Sequence, residues 1–142
     1  MKIIISMFFL GFLMPLKKDI LSFTSANPFS FKDIIVDLDS QKEQEVFGIL
    51  TLPDNLSQDE KIPLVIGVAG SKDWAGHHLE YMAMYQSMGI ATFELQAFGS
   101  RQVTSTVGSQ VEVTTAMVVL DSYRAFEKLA NHPNIDSERV AI

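Results

Sequence analysis

The sequence predicts an α/β fold with a mostly parallel central sheet, flanking helices and antiparallel strands at the N-terminal edge of the sheet. Pro63–Ser71 is an almost wholly apolar run that ends in small residues, which is typical of a strand buried on both faces of a parallel sheet. A helical pattern over residues 76–88 and another strand-like run at 90–95 follow it, and together they predict a βαβ unit. The chain of 142 residues is 47% hydrophobic and 20% charged, which is the composition of one globular domain.

The N-terminus carries an apolar run, Ile3–Leu16, preceded by Lys2. Its fourteen residues are fewer than the ~20 that span a bilayer as a helix. With the small residues Thr24–Ala26 they are typical of a secretory signal. We therefore predict that residues 1–26 are a signal peptide and that the protein is exported, to the periplasm or out of the cell. Two alternatives stay open, an uncleaved membrane anchor and an apolar segment packed on a cytoplasmic domain. The domain itself is predicted to cover residues 27–142.

Hydrophobic patterns divide the rest of the chain into elements. Residues 31–38 and 46–53 are rich in strand-forming residues and are separated by a polar turn, which predicts an antiparallel hairpin at the sheet edge. A long helix with a broad apolar face is predicted for residues 109–130, and Pro133 prevents its continuation. The run Arg139–Ile142 begins one more buried strand.

Charge and residue types exclude several classes of site. The formal net charge is −6 and no basic stripe is present, which argues against nucleic-acid binding. The sequence has no cysteine, so disulfides, thiolate zinc sites and a cysteine nucleophile are excluded within these residues. His77 and His78 are adjacent at a predicted helix start, where their side chains diverge, and no third zinc ligand has suitable spacing. We predict no metal and no organic cofactor.

Several motifs occur in a characteristic order between residues 46 and 142. They are Pro63–Ser71, Gly89–Phe93, Phe98–Arg101, Ser105–Val107 with Gln110, and Asp121–Ala125 leading into His132–Ile142. This order resembles the dienelactone hydrolase family of α/β-hydrolases. The resemblance implies that the Pro63 strand lies between the strand at 90–95 and the one that begins at Val140. In that family the last of these strands runs into a Gly-x-Ser/Cys-x-Gly turn that carries the nucleophile, and the acid and the histidine follow. The resemblance implies an N-terminal part of a hydrolase that ends before its nucleophile, with no catalytic residue in this chain and no activity of its own.

The resemblance implies a role for the turn after the central strand. The turn supplies a backbone N–H to the oxyanion hole, which stabilises the negative charge that develops during acyl transfer. By position that donor is Ser71, and Gly70 lets the chain approach the substrate closely. Many relatives have His-Gly where this chain has Ala69-Gly70, so a side-chain role of the first residue is not carried over.

Two cations near the predicted site are candidate substrate-binding residues. Lys72 follows the turn after the central strand, where it could line the mouth of the pocket. The alternative is that Lys72 is an ordinary solvated surface residue. Arg101 lies in the loop after a strand, where its guanidinium group could hold a substrate carboxylate through two hydrogen bonds. Its alternative is a structural ion pair with Glu94 or Asp121.

These observations lead to two functional hypotheses from different classes. The first is a dienelactone-hydrolase-like enzyme that cleaves a carboxylic ester or lactone of a small molecule, with a serine or cysteine nucleophile beyond Ile142. Such an enzyme would contact a membrane only through an uncleaved N-terminal segment. The alternative is a non-catalytic, exported or membrane-tethered α/β binding module.

Overall fold

The computed structural model describes residues 15–142, and its first strand lies N-terminal to the predicted domain boundary. Strand β1, Leu16–Ala26, pairs along its 11 residues with the antiparallel strand β2, Glu43–Pro53. Ser25 and Ala26 are buried. The folded domain therefore includes residues that the sequence grouped with the signal peptide or anchor. The greater part of that predicted segment, residues 1–14, lies outside the described residues, and its cleavage stays a prediction.

A helix replaces one strand of the predicted hairpin. Phe31–Val36 forms helix α1, and the antiparallel partner of β2 is β1 instead. The helix begins where Ser30 donates two hydrogen bonds to the Asp33 carboxylate, from its backbone N–H at 2.7 Å and from its hydroxyl at 3.0 Å. Both hydrogen bonds lower the pKa of the Asp33 carboxyl, and the bond from the backbone N–H has the larger effect. The side chain of Asp33 thus stabilises a helical turn in a segment whose β-branched residues favour a strand.

The remaining strands and helices form the predicted α/β unit. Strand β3 is Ile62–Val68, helix α2 is Gly76–Ser87, strand β4 is Ala91–Leu95, helix α3 is Thr115–Leu129 and strand β5 is Ile135–Ala141. The sheet order is β1-β2-β4-β3-β5, with β3 parallel to both β4 and β5. The predicted fold class and the position of β3 between its two parallel neighbours are confirmed.

The two long helices cover opposite faces of the sheet. The connection through α2 leads from β3 to β4, whereas the connection through α3 leads back past β3 to β5. Because crossovers between parallel strands are right-handed, these opposite directions place α2 and α3 on opposite faces. Close packing on the α2 face requires Gly67, since a Cβ there would lie 2.7 Å from the Trp74 ring and 2.9 Å from Met82.

Helix α3 starts six residues later than the sequence pattern predicted. Its N-cap is Thr114, whose hydroxyl accepts a hydrogen bond from the Met117 N–H at 3.1 Å. That cap satisfies a backbone donor of the first turn, so residues 109–114 remain outside the helix. Buried side chains of β2, β3, β4, α3 and β5 form the core, among them Val46, Leu50, Leu64, Ile66, Phe93, Leu129 and Ile135.

Candidate functional site

The turn after β3 lies at the carboxyl edge of the parallel strands, where α/β folds bind ligands. The Asp73 N–H donates to the Gly70 carbonyl at 2.9 Å, which closes the turn. Asp73 has a left-handed backbone with φ of 59°, a conformation that aspartate tolerates better than most residues. The next residue, Trp74, donates its indole N–H to the Leu95 carbonyl at 3.0 Å. The turn is thereby attached to the end of β4.

A cavity of about 180 Å³ adjoins this turn. One wall is formed by Ala69, Gly70 and Ser71 at the end of β3. Residues of the loop between β4 and α3 and of the first turn of α3 form the opposite wall, namely Phe98, Thr106, Gln110, Val113, Thr114, Thr115 and Val118. The cavity wall therefore contains hydroxyl and amide groups and apolar side chains, but no charged side chain among the described residues.

The loop between β4 and α3 holds Ser71 in place. The Ser71 carbonyl accepts hydrogen bonds from the Thr106 N–H at 2.8 Å and from the Ser105 hydroxyl at 3.2 Å. Within residues 15–142, by contrast, the Ser71 N–H donates to no protein acceptor. The arrangement fixes the residue through its carbonyl and leaves its N–H available, which is what a preorganised oxyanion donor requires.

The predicted site residues do not all meet at the cavity. Gly70 and Ser71 line it, whereas Lys72 is exposed and is not among its lining residues. A Cβ on Gly70 would meet no atom within 4 Å, so no steric contact among the described residues requires a glycine there. The roles of Gly70 and Lys72 toward a substrate stay predictions.

Arg101 forms the structural ion pair that the sequence left open as an alternative. Its guanidinium group contacts both Asp121 oxygens, with N–O distances of 2.7 and 3.1 Å. The other N–H groups donate to Asn27 Oδ1 and to the carbonyls of Ala26 and Ala97. All five guanidinium donors are therefore used, and the side chain is only 5% exposed. This geometry favours the structural role over binding of a substrate carboxylate.

Asp121 lies at the centre of this buried contact. Burial raises the pKa of its carboxyl above the ordinary value, and the hydrogen bonds and charge of Arg101 and the hydroxyl of Ser25 oppose that rise. Ser25 donates to Asp121 Oδ1 at 2.6 Å. The pair thus connects β1, the loop after β4 and α3, and it holds the loop that contacts Ser71.

Two features of the site were not predicted from the sequence. Trp74 ties the turn after β3 to β4, and the Thr106 N–H holds the Ser71 carbonyl. The sequence does single out Trp74, because the chain has one tryptophan, but nothing in a sequence pattern indicates which backbone carbonyl an indole will meet. In addition, Asp73 Oδ1 is buried without a hydrogen-bond partner among the described residues.

The histidines serve local structure. His78 Nδ1 accepts the Ala75 N–H at 3.1 Å at the start of α2, and the His78 ring meets the Trp74 ring edge to face. The centroids of the His77 and His78 rings are 4.0 Å apart, so the prediction that these two side chains diverge is wrong. His132 Nδ1 accepts the Asn134 N–H at 3.2 Å. In the part of the chain that the structure describes, no group of three or more acidic or histidine side chains could hold a metal.

Comparison with known proteins gives structural matches only. No family model and no curated protein matches the sequence. The dienelactone hydrolase-like promiscuous phosphotriesterase from metagenomic libraries superposes with a TM-score of 0.55 and 14% identity over 85% of this chain and 47% of its own. A protein assigned as a dienelactone hydrolase from Klebsiella pneumoniae superposes with a TM-score of 0.55 and 16% identity. That match covers 86% of this chain and 48% of the other protein's chain.

At these identities the likeness establishes a shared fold. The resemblance to dienelactone hydrolases that the sequence motifs indicated is confirmed at that level, since the five-stranded sheet with helices on both faces shares the fold of these two structures. The chain spans about half the length of these two structures. No helix among residues 15–142 is long and apolar enough to cross a membrane.

Proposed function

We propose that this chain forms the oxyanion-hole half of a dienelactone-hydrolase-like enzyme that hydrolyses a carboxylic ester or lactone of a small molecule. The observation that carries the proposal is the hydrogen bonding of Ser71. Its carbonyl accepts hydrogen bonds from Thr106 and Ser105, whereas its N–H has no protein acceptor among the described residues. The residue also lines the cavity. The two structural neighbours that carry the dienelactone hydrolase name support the same chemistry.

The register of β5 supports a nucleophile that follows this strand. Val140 lies opposite Leu64 and Ala141 opposite Val65, with β5 and β3 parallel. In this register about four further residues would bring β5 opposite Ala69, beside the oxyanion turn. A serine or cysteine on a sharp turn at that point would lie at the same sheet edge as the Ser71 N–H.

In the proposed reaction the nucleophile attacks the substrate carbonyl carbon and forms a tetrahedral intermediate. The carbonyl oxygen gains negative charge, and it accepts a hydrogen bond from the Ser71 N–H. Because the turn is already ordered by its contacts with Thr106 and Leu95, little reorganisation accompanies the charge shift. A donor of this kind contributes about 10²–10³ in kcat. The acid and the histidine of the triad would come from later parts of the enzyme.

The test removes the N–H without removing the residue. In the enzyme extended through its natural continuation past Ile142, Ser71→Pro lacks the backbone donor and should lose about 10²–10³ in kcat on a short-chain nitrophenyl ester. Ser71→Ala retains the N–H and is the matched control, with kcat within about threefold of the parent. Full activity of a folded Ser71→Pro enzyme, or equal losses in both variants, would refute the oxyanion role.

A further inference from the structure

Thr106 carries a buried hydroxyl group that the proposed reaction leaves unused. The residue is only 4% exposed, and it lines the cavity beside Ser71. Its backbone N–H donates to the Ser71 carbonyl at 2.8 Å, so the two residues are in direct contact. The hydroxyl itself has no hydrogen-bond partner among residues 15–142. The side chain is therefore held at the cavity while its polar group stays unsatisfied by the described part of the chain.

The other buried hydroxyl groups show what distinguishes this one. Six serine and threonine side chains are buried in the part of the chain that the structure describes, namely Ser25, Thr51, Thr92, Thr106, Thr114 and Ser122. All except Thr51 and Thr106 have a hydrogen-bond partner. Thr51 Oγ1 is sealed from solvent on β2, an interior strand of the sheet. Of the two unsatisfied hydroxyl groups, Thr106 is thus the one that a ligand in the cavity can reach.

A hydroxyl group in this position favours a bound polar ligand. Buried polar groups in native proteins are nearly always hydrogen-bonded, because an unpaired one costs stability. The exposed Gln110 lies on the same wall of the cavity, and its amide also lacks a hydrogen-bond partner within the described range. A hydroxyl and an amide can each donate and accept, so this wall suits an oxygen-bearing group of a ligand.

The chemistry of this wall matches a neutral oxygen better than a carboxylate. Thr106 and Gln110 offer neutral hydrogen-bonding groups and no counter-charge. The nearby guanidinium group of Arg101 is engaged by Asp121, Asn27 and backbone carbonyls, so its donors are already used within the fold. A hydroxyl group on the ligand satisfies the Thr106 hydroxyl without a buried charge to compensate.

We propose that the Thr106 hydroxyl binds a hydroxyl group on the acyl part of the substrate. The inference rests on the proposed function, in which the Ser71 N–H binds the carbonyl oxygen of the ester. Because Thr106 contacts Ser71 directly, a substrate held by the Ser71 N–H presents to Thr106 the atoms next to its carbonyl. The substrate class is thus an ester or lactone of a hydroxy acid, with the hydroxyl on the α or β carbon of the acyl chain.

A pair of esters that differ by this hydroxyl tests the proposal. The cavity is small, about 180 Å³, so the probes are ethyl β-hydroxybutyrate and ethyl butyrate, each followed by acid release at constant pH. In the enzyme extended through its natural continuation past Ile142, kcat/KM should be roughly tenfold higher for the hydroxy ester, as expected for one hydrogen bond to a buried group.

Three variants assign this preference to the Thr106 hydroxyl. Thr106→Val retains the backbone N–H and the branched shape, and it should lose the preference while kcat/KM for ethyl butyrate stays within about threefold of the parent. Thr106→Ser retains a hydroxyl and should keep the preference. The matched control is Thr104→Val, since Thr104 is exposed in the same loop and is not a lining residue of the cavity; it should leave both rates unchanged.

The outcomes separate this inference from the proposed function. An active enzyme without a preference for the hydroxy ester, or a preference that Thr106→Val retains, overturns the inference alone. An enzyme that hydrolyses only the nitrophenyl ester does the same. An enzyme that hydrolyses none of the three esters refutes the proposed function, and the inference falls with it.

Urea unfolding gives a readout that does not depend on catalysis. Thr106→Val should leave the urea midpoint of the same enzyme unchanged or raise it, because the hydroxyl has no partner to lose among the described residues. A fall larger than that of Thr104→Val would show that the hydroxyl is bound within the fold, and it would contradict a role in substrate binding.

Discussion

Replacement of Asp121 by Asn should destabilise the domain by about 3–5 kcal/mol, because it leaves the buried Arg101 charge without a counter-ion. The two side chains are 0% and 5% exposed and their closest atoms are 2.7 Å apart. Domains of this size are stable by only about 5–15 kcal/mol. With an m-value of about 2 kcal/mol/M, the urea midpoint should fall by roughly 2 M. We specify pH 8, because burial raises the pKa of the Asp121 carboxyl and a higher pH favours its charged form.

The matched control is an exposed ion pair of almost equal length. Arg124 and Glu127 are 2.8 Å apart but 40% and 61% exposed, so Glu127→Gln should cost about 1 kcal/mol or less. Urea unfolding followed by fluorescence of Trp74 measures both variants, since this residue is the only tryptophan and its indole bonds to β4. Equal costs for the two variants would refute the argument that burial, rather than distance, sets the strength of the Arg101–Asp121 pair.

Two further predictions concern packing and pH. Gly48→Ala should lower the free energy of unfolding by about 1–3 kcal/mol, because the new Cβ would collide with the Phe93 ring and lie 2.8 Å from the Glu94 carbonyl. The control is Gly70→Ala, which has no atom within 4 Å of its Cβ and should change stability by less than about 1 kcal/mol. Equal losses of stability in urea unfolding would contradict this prediction. Burial lowers the pKa of His132 below its ordinary value of 6.5, so the neutral form stabilises the fold above pH 6.5 and that contribution is lost as the pH falls through the lowered pKa. His132→Gln should therefore flatten the pH dependence of the free energy of unfolding below pH 6.5, and an unchanged slope would show that other groups cause it.

The parallel part of the fold was predictable because its sequence signals are local and consistent. The run from Ile62 to Val68 lacks polar residues, and a buried parallel strand is the element that requires such a run. The helix that follows it ends near Gly89, whose φ of 75° suits the residue after a helix. Local preference and tertiary environment agree in this unit, so the βαβ prediction is confirmed.

The N-terminal edge was mispredicted because two local signals competed. Phe31–Val36 has the residue types of a strand, but the Ser30-x-x-Asp33 pattern is a helix-capping signal, and the capping hydrogen bonds are present. Strand β1 was missed because an apolar run followed by Lys17, Lys18 and small residues resembles a signal peptide. Periodicity cannot separate that pattern from a partly exposed edge strand, since both combine apolar and polar residues over a short span.

The geometry of the site depends on contacts that no local pattern contains. Ser25 and Asp121 are 96 positions apart in the chain, yet their side chains are hydrogen-bonded. The resemblance of motifs singled out Ser71 by its position after the central strand, and its role as an oxyanion donor stays a prediction. It could not decide between the two roles of Arg101, since the choice depends on how β1 and α3 pack around the guanidinium group.

The identity of the residues that follow Ile142 tests the central claim most directly. Sequencing the source transcript past that codon should reveal a Gly-x-Ser-x-Gly or Gly-x-Cys-x-Gly motif directly after β5, with an acid and a histidine further along. That result would place a nucleophile beside Ser71 in the register that β5 already has with β3. A stop codon at this point, or a continuation without the motif, would contradict the hydrolase proposal for this protein.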